Sequence, residues 1–240
     1  MVADYSGCGV GFSDPDILRR MTSSNLDIDR YTPERARHYE AHHRKSLRTT
    51  LTTWRERSLL ARALKISGNP KRVIDLPCGT GRFWPAFEAA GVKELLAADN
   101  SEGMLGLASA MQQTVSIPVT VFKTSVFAID LPDAVVEVMA CMRFFHHLAR
   151  SEDRLKALAE VRRVISGYAV ISLWTNGCLQ SMLRSRRKLK GERTEGYGKR
   201  TCIDGATFEQ EIVVAGFVIA GQWRLWPGLS MWTFYLLRKV

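Results

Sequence analysis

No stretch of this 240-residue sequence is apolar over the ~18–20 residues that a membrane-spanning helix requires. The opening MVADYSGCGVGF has neither a basic run nor a long apolar core, so no secretory signal is expected. Cysteine is sparse: Cys8, Cys78, Cys141, Cys178 and Cys202 are odd in number, scattered, and form no Cys-x-x-Cys pair. That excludes a disulfide framework and a zinc knuckle, and it fits a reducing cytoplasm. There is no internal repeat and no low-complexity tract. Acids are outnumbered, 24 against 34 Lys and Arg, for a net charge of +10. The excess is local. Residues 30–72 carry twelve basic residues against three acids, and residues 178–203 carry eight against two, so the remainder of the chain is net acidic. A charge run is ordinarily a solvated helix face. Two such segments flanking a near-neutral middle point also to an acidic or phosphorylated partner.

What is present is a rhythm. Hydrophobic residues make up 46% of the chain, enough for one sizeable core. Residues 1–29 read as irregular, and Thr32-Pro33 reads as a helix start, with sparse apolar positions running to Ala63 and a stop at Gly68-Asn69-Pro70. Then RVIDL, ELLAAD, VTVFKT, VVEVMACM and YAVISLW read as strands, interleaved with helical WPAFEAAG, SEGMLGLASAMQQ and a helix over residues 151–164 capped by Ser151. Strands alternating with helices imply a mostly parallel sheet covered on both faces. After Trp174 the rhythm breaks for about thirty residues, with no element assigned there. A helix, ATFEQEIVVAG, follows, and FVIAGQWRLW and SMWTFYLLRKV read as an antiparallel hairpin at the sheet edge. The predicted fold is α/β, a Rossmann-like doubly wound sheet of seven strands ending in that hairpin. The expected division is an N-terminal cap over residues 1–56 and a catalytic domain over 57–240, with a basic insertion at about 175–203.

The first strand runs into DLPCGTGRF, Asp75 to Phe83. Gly79 and Gly81 let the backbone approach a ligand without a Cβ clash, and the following helix offers free N–H groups. The second strand ends at Asp99, where an acid can accept from both hydroxyls of a ribose. A dinucleotide needs a third glycine in the G-x-G-x-x-G pattern, and Trp84 stands there instead. S-adenosylmethionine (SAM) has no phosphate and needs the acid, the tight turn and room for an amino-acid moiety.

DLPCGTGRF resembles the glycine-rich first motif of the class I SAM-dependent methyltransferases, and AADNSEGML resembles their second. The final helix and two strands resemble the reversed hairpin that ends that fold. The resemblance covers roughly residues 57–240 and is nearest to small-molecule enzymes of the ubiquinone-biosynthesis type. It implies SAM as cofactor, held by Asp75, Pro77, Cys78, Gly79, Gly81 and Arg82 in the first motif. Asp99 with Asn100 would hold the ribose, and Met104 would lie near adenine. Ser125 and Val126 follow strand 3, and Cys141 and Met142 lie under the methionine part. Pro77 stands where the family commonly has glycine and lacks an N–H, so only its carbonyl can serve. Ser125 stands where an Asp is common and can accept one bond from the adenine amino group. Asp75 can contact the cofactor or order the turn from behind; both readings stand.

CMRFFHHL, Cys141 to Leu148, falls at the fourth motif. The resemblance places Arg143 at the floor of the acceptor pocket and His147 at the family's usual turn-ordering histidine, and leaves His146 to face the acceptor. Adjacent histidines point apart on a strand and diverge by ~100° on a helix. No metal is therefore expected, and His38 and His42 read as a solvated face. The run lacks the Pro-Pro-aromatic motif of amino-methylating nucleic-acid enzymes and the Pro-Cys nucleophile of cytosine C5 enzymes. The catalytic candidates are His146, Arg143 and Tyr197. Arg184, Arg186, Arg187, Lys188, Lys199, Arg200 and the 35–57 helix would form a cationic rim for an anionic small-molecule, glycan or lipid-linked acceptor. RNA methylation, and a non-catalytic SAM-binding module, are the alternatives.

Overall fold

The fold, taken from a computed structural model, is described for residues 47–189 and 200–240. Helix α1 (Leu47–Ile66) runs unbroken across residues 56 and 57 and buries Leu59, Leu60, Ala63 and Leu64 along one face. It stops where Gly68 and Asn69 turn left-handed ahead of Pro70. Then follow β1 (Arg72–Asp75), α2 (Trp84–Ala89), β2 (Glu94–Asp99), α3 (Glu102–Met111), β3 (Val119–Lys123) and β4 (Val136–Cys141). The chain continues through α4 (Ser151–Val164), β5 (Ile165–Trp174), α5 (Leu179–Leu189), α6 (Gly205–Val214), β6 (Phe217–Arg224) and β7 (Trp232–Lys239).

The seven strands form one sheet in the order β3-β2-β1-β4-β5-β7-β6. Strands β1 to β5 are parallel, while β7 runs antiparallel between β5 and β6. Of the expected hairpin, therefore, only β6 forms the edge. Consecutive residues feed opposite layers. Ile74, Met139, Ile171 and Leu237 pack on the side of α4 and α6, and Val73, Val138, Val170 and Leu236 on the side of α1 and α2. Strand order reverses between β1 and β4, and a crevice outside the carboxyl ends of the strands opens at such a reversal.

Two local readings change. Ser151 does not cap α4: Arg150 holds the cap position without a side-chain bond, and the Ser151 hydroxyl donates to Glu211 at 2.6 Å. Glu211 is already committed to Arg154 in a buried pair that staples α6 to α4 (Nε–Oε2 2.7 Å), and the serine supplies one of its remaining donors. The stretch after Trp174 holds α5, which docks through Leu179 N–H on the carbonyl of Gly228 (2.9 Å). The helix start at Thr32-Pro33, His38, His42, Lys199 and Tyr197 lie outside the described residues.

Candidate functional site

The glycine loop between β1 and α2 is built from its own backbone and from Asp99. Cys78 N–H donates to Ala98 O (2.8 Å), and Gly81 N–H to Cys78 O (3.0 Å). Gly79 (φ 54°) and Gly81 (φ 74°) take the left-handed conformation that only glycine adopts at no cost. A Cβ at Gly79 would meet nothing within 4 Å, so open space lies above the loop there. Asp99, at the tip of β2, accepts from Gly79 N–H at 3.0 Å through Oδ2 and from Ser101 N–H at 2.9 Å through Oδ1. A carboxylate has about four acceptor positions, so capacity remains for a ligand's hydroxyl. Burial pushes the Asp99 carboxyl up, and its backbone donors oppose the shift.

Asp75 ends β1 fully buried. Its Oδ2 accepts from the indole N–H of Trp84 (3.2 Å), while Oδ1 has no partner. Burial raises this carboxyl to about 8, so it is mostly protonated at neutral pH. Burial also pushes the thiols of Cys78 and Cys141 up, which removes thiolate character from both.

Beside the loop lies a residue that the sequence reading passed over. Glu56, 0% exposed on α1, accepts from Arg143 through both oxygens (2.7 Å each) and from Arg82 Nη2 (3.0 Å). Arg143, expected at the floor of the acceptor pocket, thus uses Nε and Nη2 on Glu56, and its guanidinium also lies 4.6 Å from the ring centre of Trp232. Its backbone is left-handed (φ 58°), held there by an N–H bond to Ser172 Oγ (2.9 Å). Arg57 adds a further tie, donating to the Arg82 carbonyl through Nη2 at 2.6 Å. The only sequence signal for Glu56 is that it is one of three acids in a strongly basic segment.

The run after β4 forms a 3₁₀ turn over Phe145–His147. The turn brings the two imidazoles together, with ring centres 4.3 Å apart, contrary to the divergence expected of a strand or an α-helix. Among the described residues, no group of three or more His, Cys, Asp and Glu could hold a metal ion. His146 is 1% exposed, stacked on Trp174 (4.8 Å) and edge-on to Trp232 (5.0 Å), and its Nδ1 has no partner. Arg184 and Arg200 approach the same Trp174 ring to 5.0 and 5.6 Å. Burial, then the charges of His147, Arg200, Arg143 and Arg184, hold the His146 imidazole well below its usual range.

The other predicted site residues follow the same strand ends. Pro77, Cys78 and Arg82 lie in the loop after β1; Asn100 and Met104 follow β2; Ser125 and Val126 follow β3; Cys141 and Met142 close β4. Ser125 Oγ is engaged by the N–H of Phe127 (3.2 Å). Arg186 is exposed on α5, and the side chains of Arg187 and Lys188 are outside the description.

Residues 74–171, from β1 to β5, match the family model of a methyltransferase domain. No curated protein matches. Among solved structures, the chain is similar to the magnesium protoporphyrin IX methyltransferase of Synechocystis PCC 6803 solved with SAH bound (TM-score 0.64, 14% identity, 81% of this chain and 88% of that one). It is also similar to a SAM-dependent methyltransferase of Methanosarcina mazei (TM-score 0.58, 14% identity, 70% and 92%). At such identities the likeness is one of fold.

Two outcomes follow from this geometry. Glu56→Ala leaves two guanidinium groups facing each other around a buried hole, and equilibrium unfolding in urea is expected to show a loss of about 3–5 kcal/mol. Glu56→Gln keeps the volume and loses less. Asp75 enters the folded state with a raised pKa, so the protein loses stability as pH rises from the unfolded value of 3.8 towards about 8, and loses nothing further above it. Asp75→Asn removes that slope. Its stability relative to the parent is expected to grow by up to about 1.4 kcal/mol per pH unit between those limits, as read from urea midpoints across pH.

Proposed function

We propose that this chain, which carries a methyltransferase domain over residues 74–171, transfers the sulfonium methyl of SAM to an oxygen or nitrogen of an anionic acceptor. The cofactor follows from the domain, and the residues present fit it. Asp99 keeps acceptor capacity at the tip of β2, the space above Gly79 is open, and a buried Asp75 oxygen is unsatisfied beside the loop. Asp99 would hold the ribose, with Gly79 and Gly81 admitting the amino-acid portion and Met104 near the base. When bound, SAM supplies a methyl group already carrying a good leaving group, so the protein's part is alignment.

The observation that carries the acceptor class is the cationic surround of Trp174 and Trp232. Arg184 and Arg200 face one indole, and Arg143 faces the other. Three guanidinium groups thus lie around the two indoles next to His146, and that of Arg143 is also bound to Glu56. A carboxylate or phosphate on the acceptor is the group that guanidinium donors recognise. Neutral His146 is the base candidate for a hydroxyl acceptor, taking its proton at Nδ1.

The test incubates methyl-labelled SAM with the protein and an extract that lacks it, then separates RNA, protein, lipid, glycan and small-molecule fractions. Label is expected in an acidic small-molecule, glycan or lipid-linked fraction and is expected to be lost in Asp99→Ala. Label confined to RNA replaces the acceptor class; SAM binding without any label favours a binding module. With an oxygen acceptor in hand, kcat is expected to stay level well below pH 6.5, because His146 remains uncharged there. An acid limb near 6.5 removes His146 from the role.

A further inference from the structure

Helix α5 is turned inside out. Its inward positions are Ser181, buried, and Arg184, which lies over Trp174. Its outward stripe is Leu179, Met182 and Leu183, 50%, 55% and 46% exposed, at the i, i+3, i+4 spacing that places them on one face. A surface helix ordinarily does the reverse.

The stripe does not stand alone. Gln180 N–H donates to the carbonyl of Leu229 (3.1 Å), which sets the helix against the turn between β6 and β7, where Leu229 is itself 60% exposed. From the other side α1 reaches the same turn. Arg55 Nε donates to Leu225 O at 3.4 Å, and its guanidinium lies 6.0 Å from the Trp226 ring centre. Leu51, one helical turn before Arg55 on that face, and Trp54 are both exposed. The turn leads directly into Trp232, which packs on His146. The apolar rim therefore belongs to the end of the molecule where the acceptor enters.

Among the described residues the same segments carry positive charge: five basic residues and no acid over 178–189 and 200–203, and Arg48, Arg55 and Arg57 against Glu56 over residues 47–57 of α1. Leu and Met side chains interleaved with clustered Lys and Arg, with a tryptophan beside them, match the interfacial zone of an anionic bilayer. RNA would satisfy the cations and leave the apolar stripe in water. A second copy of the chain, docked through the same face on a two-fold axis, would set like charges against each other.

We propose that this rim docks the protein on an anionic membrane surface, with the acceptor entrance turned towards the lipid. It takes only the position of the entrance from the reaction proposed above. The test needs neither acceptor nor methyl transfer, so its failure leaves that reaction standing.

The full chain is sedimented with vesicles of phosphatidylcholine containing phosphatidylglycerol, and with vesicles of phosphatidylcholine alone. Binding at least about tenfold stronger to the anionic vesicles, weakening as salt rises, is expected. Leu183→Glu combined with Leu229→Glu changes only exposed positions and is expected to lose that binding by about tenfold or more, with the melting midpoint and far-UV dichroism unchanged. Three results overturn the proposal: no binding to anionic vesicles, equal binding by the double variant, or a dimer in sedimentation velocity that the double variant abolishes.

Discussion

A charged carboxylate with no exposure at all is a demand on the rest of the structure, because an unpaired buried charge is far too costly to persist. Glu56 meets the demand with two guanidinium groups from distant parts of the chain, 26 and 87 residues away. One belongs to the glycine loop and the other to the turn after β4. The single side chain thus fixes α1 against both walls of the crevice at the strand-order reversal. It also explains why Arg143 stays in a left-handed conformation that a non-glycine residue resists: its N–H and its guanidinium are both held. One acid thus serves two arginines, one on each wall.

Charge at this end of the sheet is arranged by depth. In the interior, Asp75 is protonated, His146 is uncharged and the thiols of Cys78 and Cys141 stay undissociated, all chiefly through burial. Towards the opening, arginines lie on indole faces, where a desolvated cation still finds electron density. A neutral floor with a positive rim suits a reaction in which the cofactor brings its own cation and the acceptor brings an anion.

Much of this was legible in the chain. The alternation of apolar strands with helices gave the parallel sheet, since strands buried on both faces must be largely apolar, as β4 is apart from the exposed Glu137. The glycine loop and Asp99 were legible because a tight turn and a strand-tip acid are local features. What escaped depends on partners far away in sequence. Ser151 followed by Glu152 and Asp153 has every mark of a cap, yet Glu211 sixty residues later captures the hydroxyl. Glu56 looked like one acid in a basic run. The imidazoles of His146 and His147 lie together because the chain takes a 3₁₀ turn there, a third geometry beside the two that periodicity arguments consider. Helix α5 went unseen because its few apolar residues stand in a run crowded with arginine and lysine.

Gly81 carries a consequence for how such a chain changes over generations. A Cβ there would come within 2.9 Å of the Trp84 indole, the same indole whose N–H reaches Asp75. The glycine is therefore required from beneath, by the protein's own tryptophan, as well as from above by the approach of a ligand. A smaller residue at 84 would relieve that contact, yet it would leave the left-handed backbone at 81 (φ 74°) and would strip the buried carboxyl of its donor. Descendants can trade positions 75 and 84 together more readily than one at a time, while 81 stays glycine.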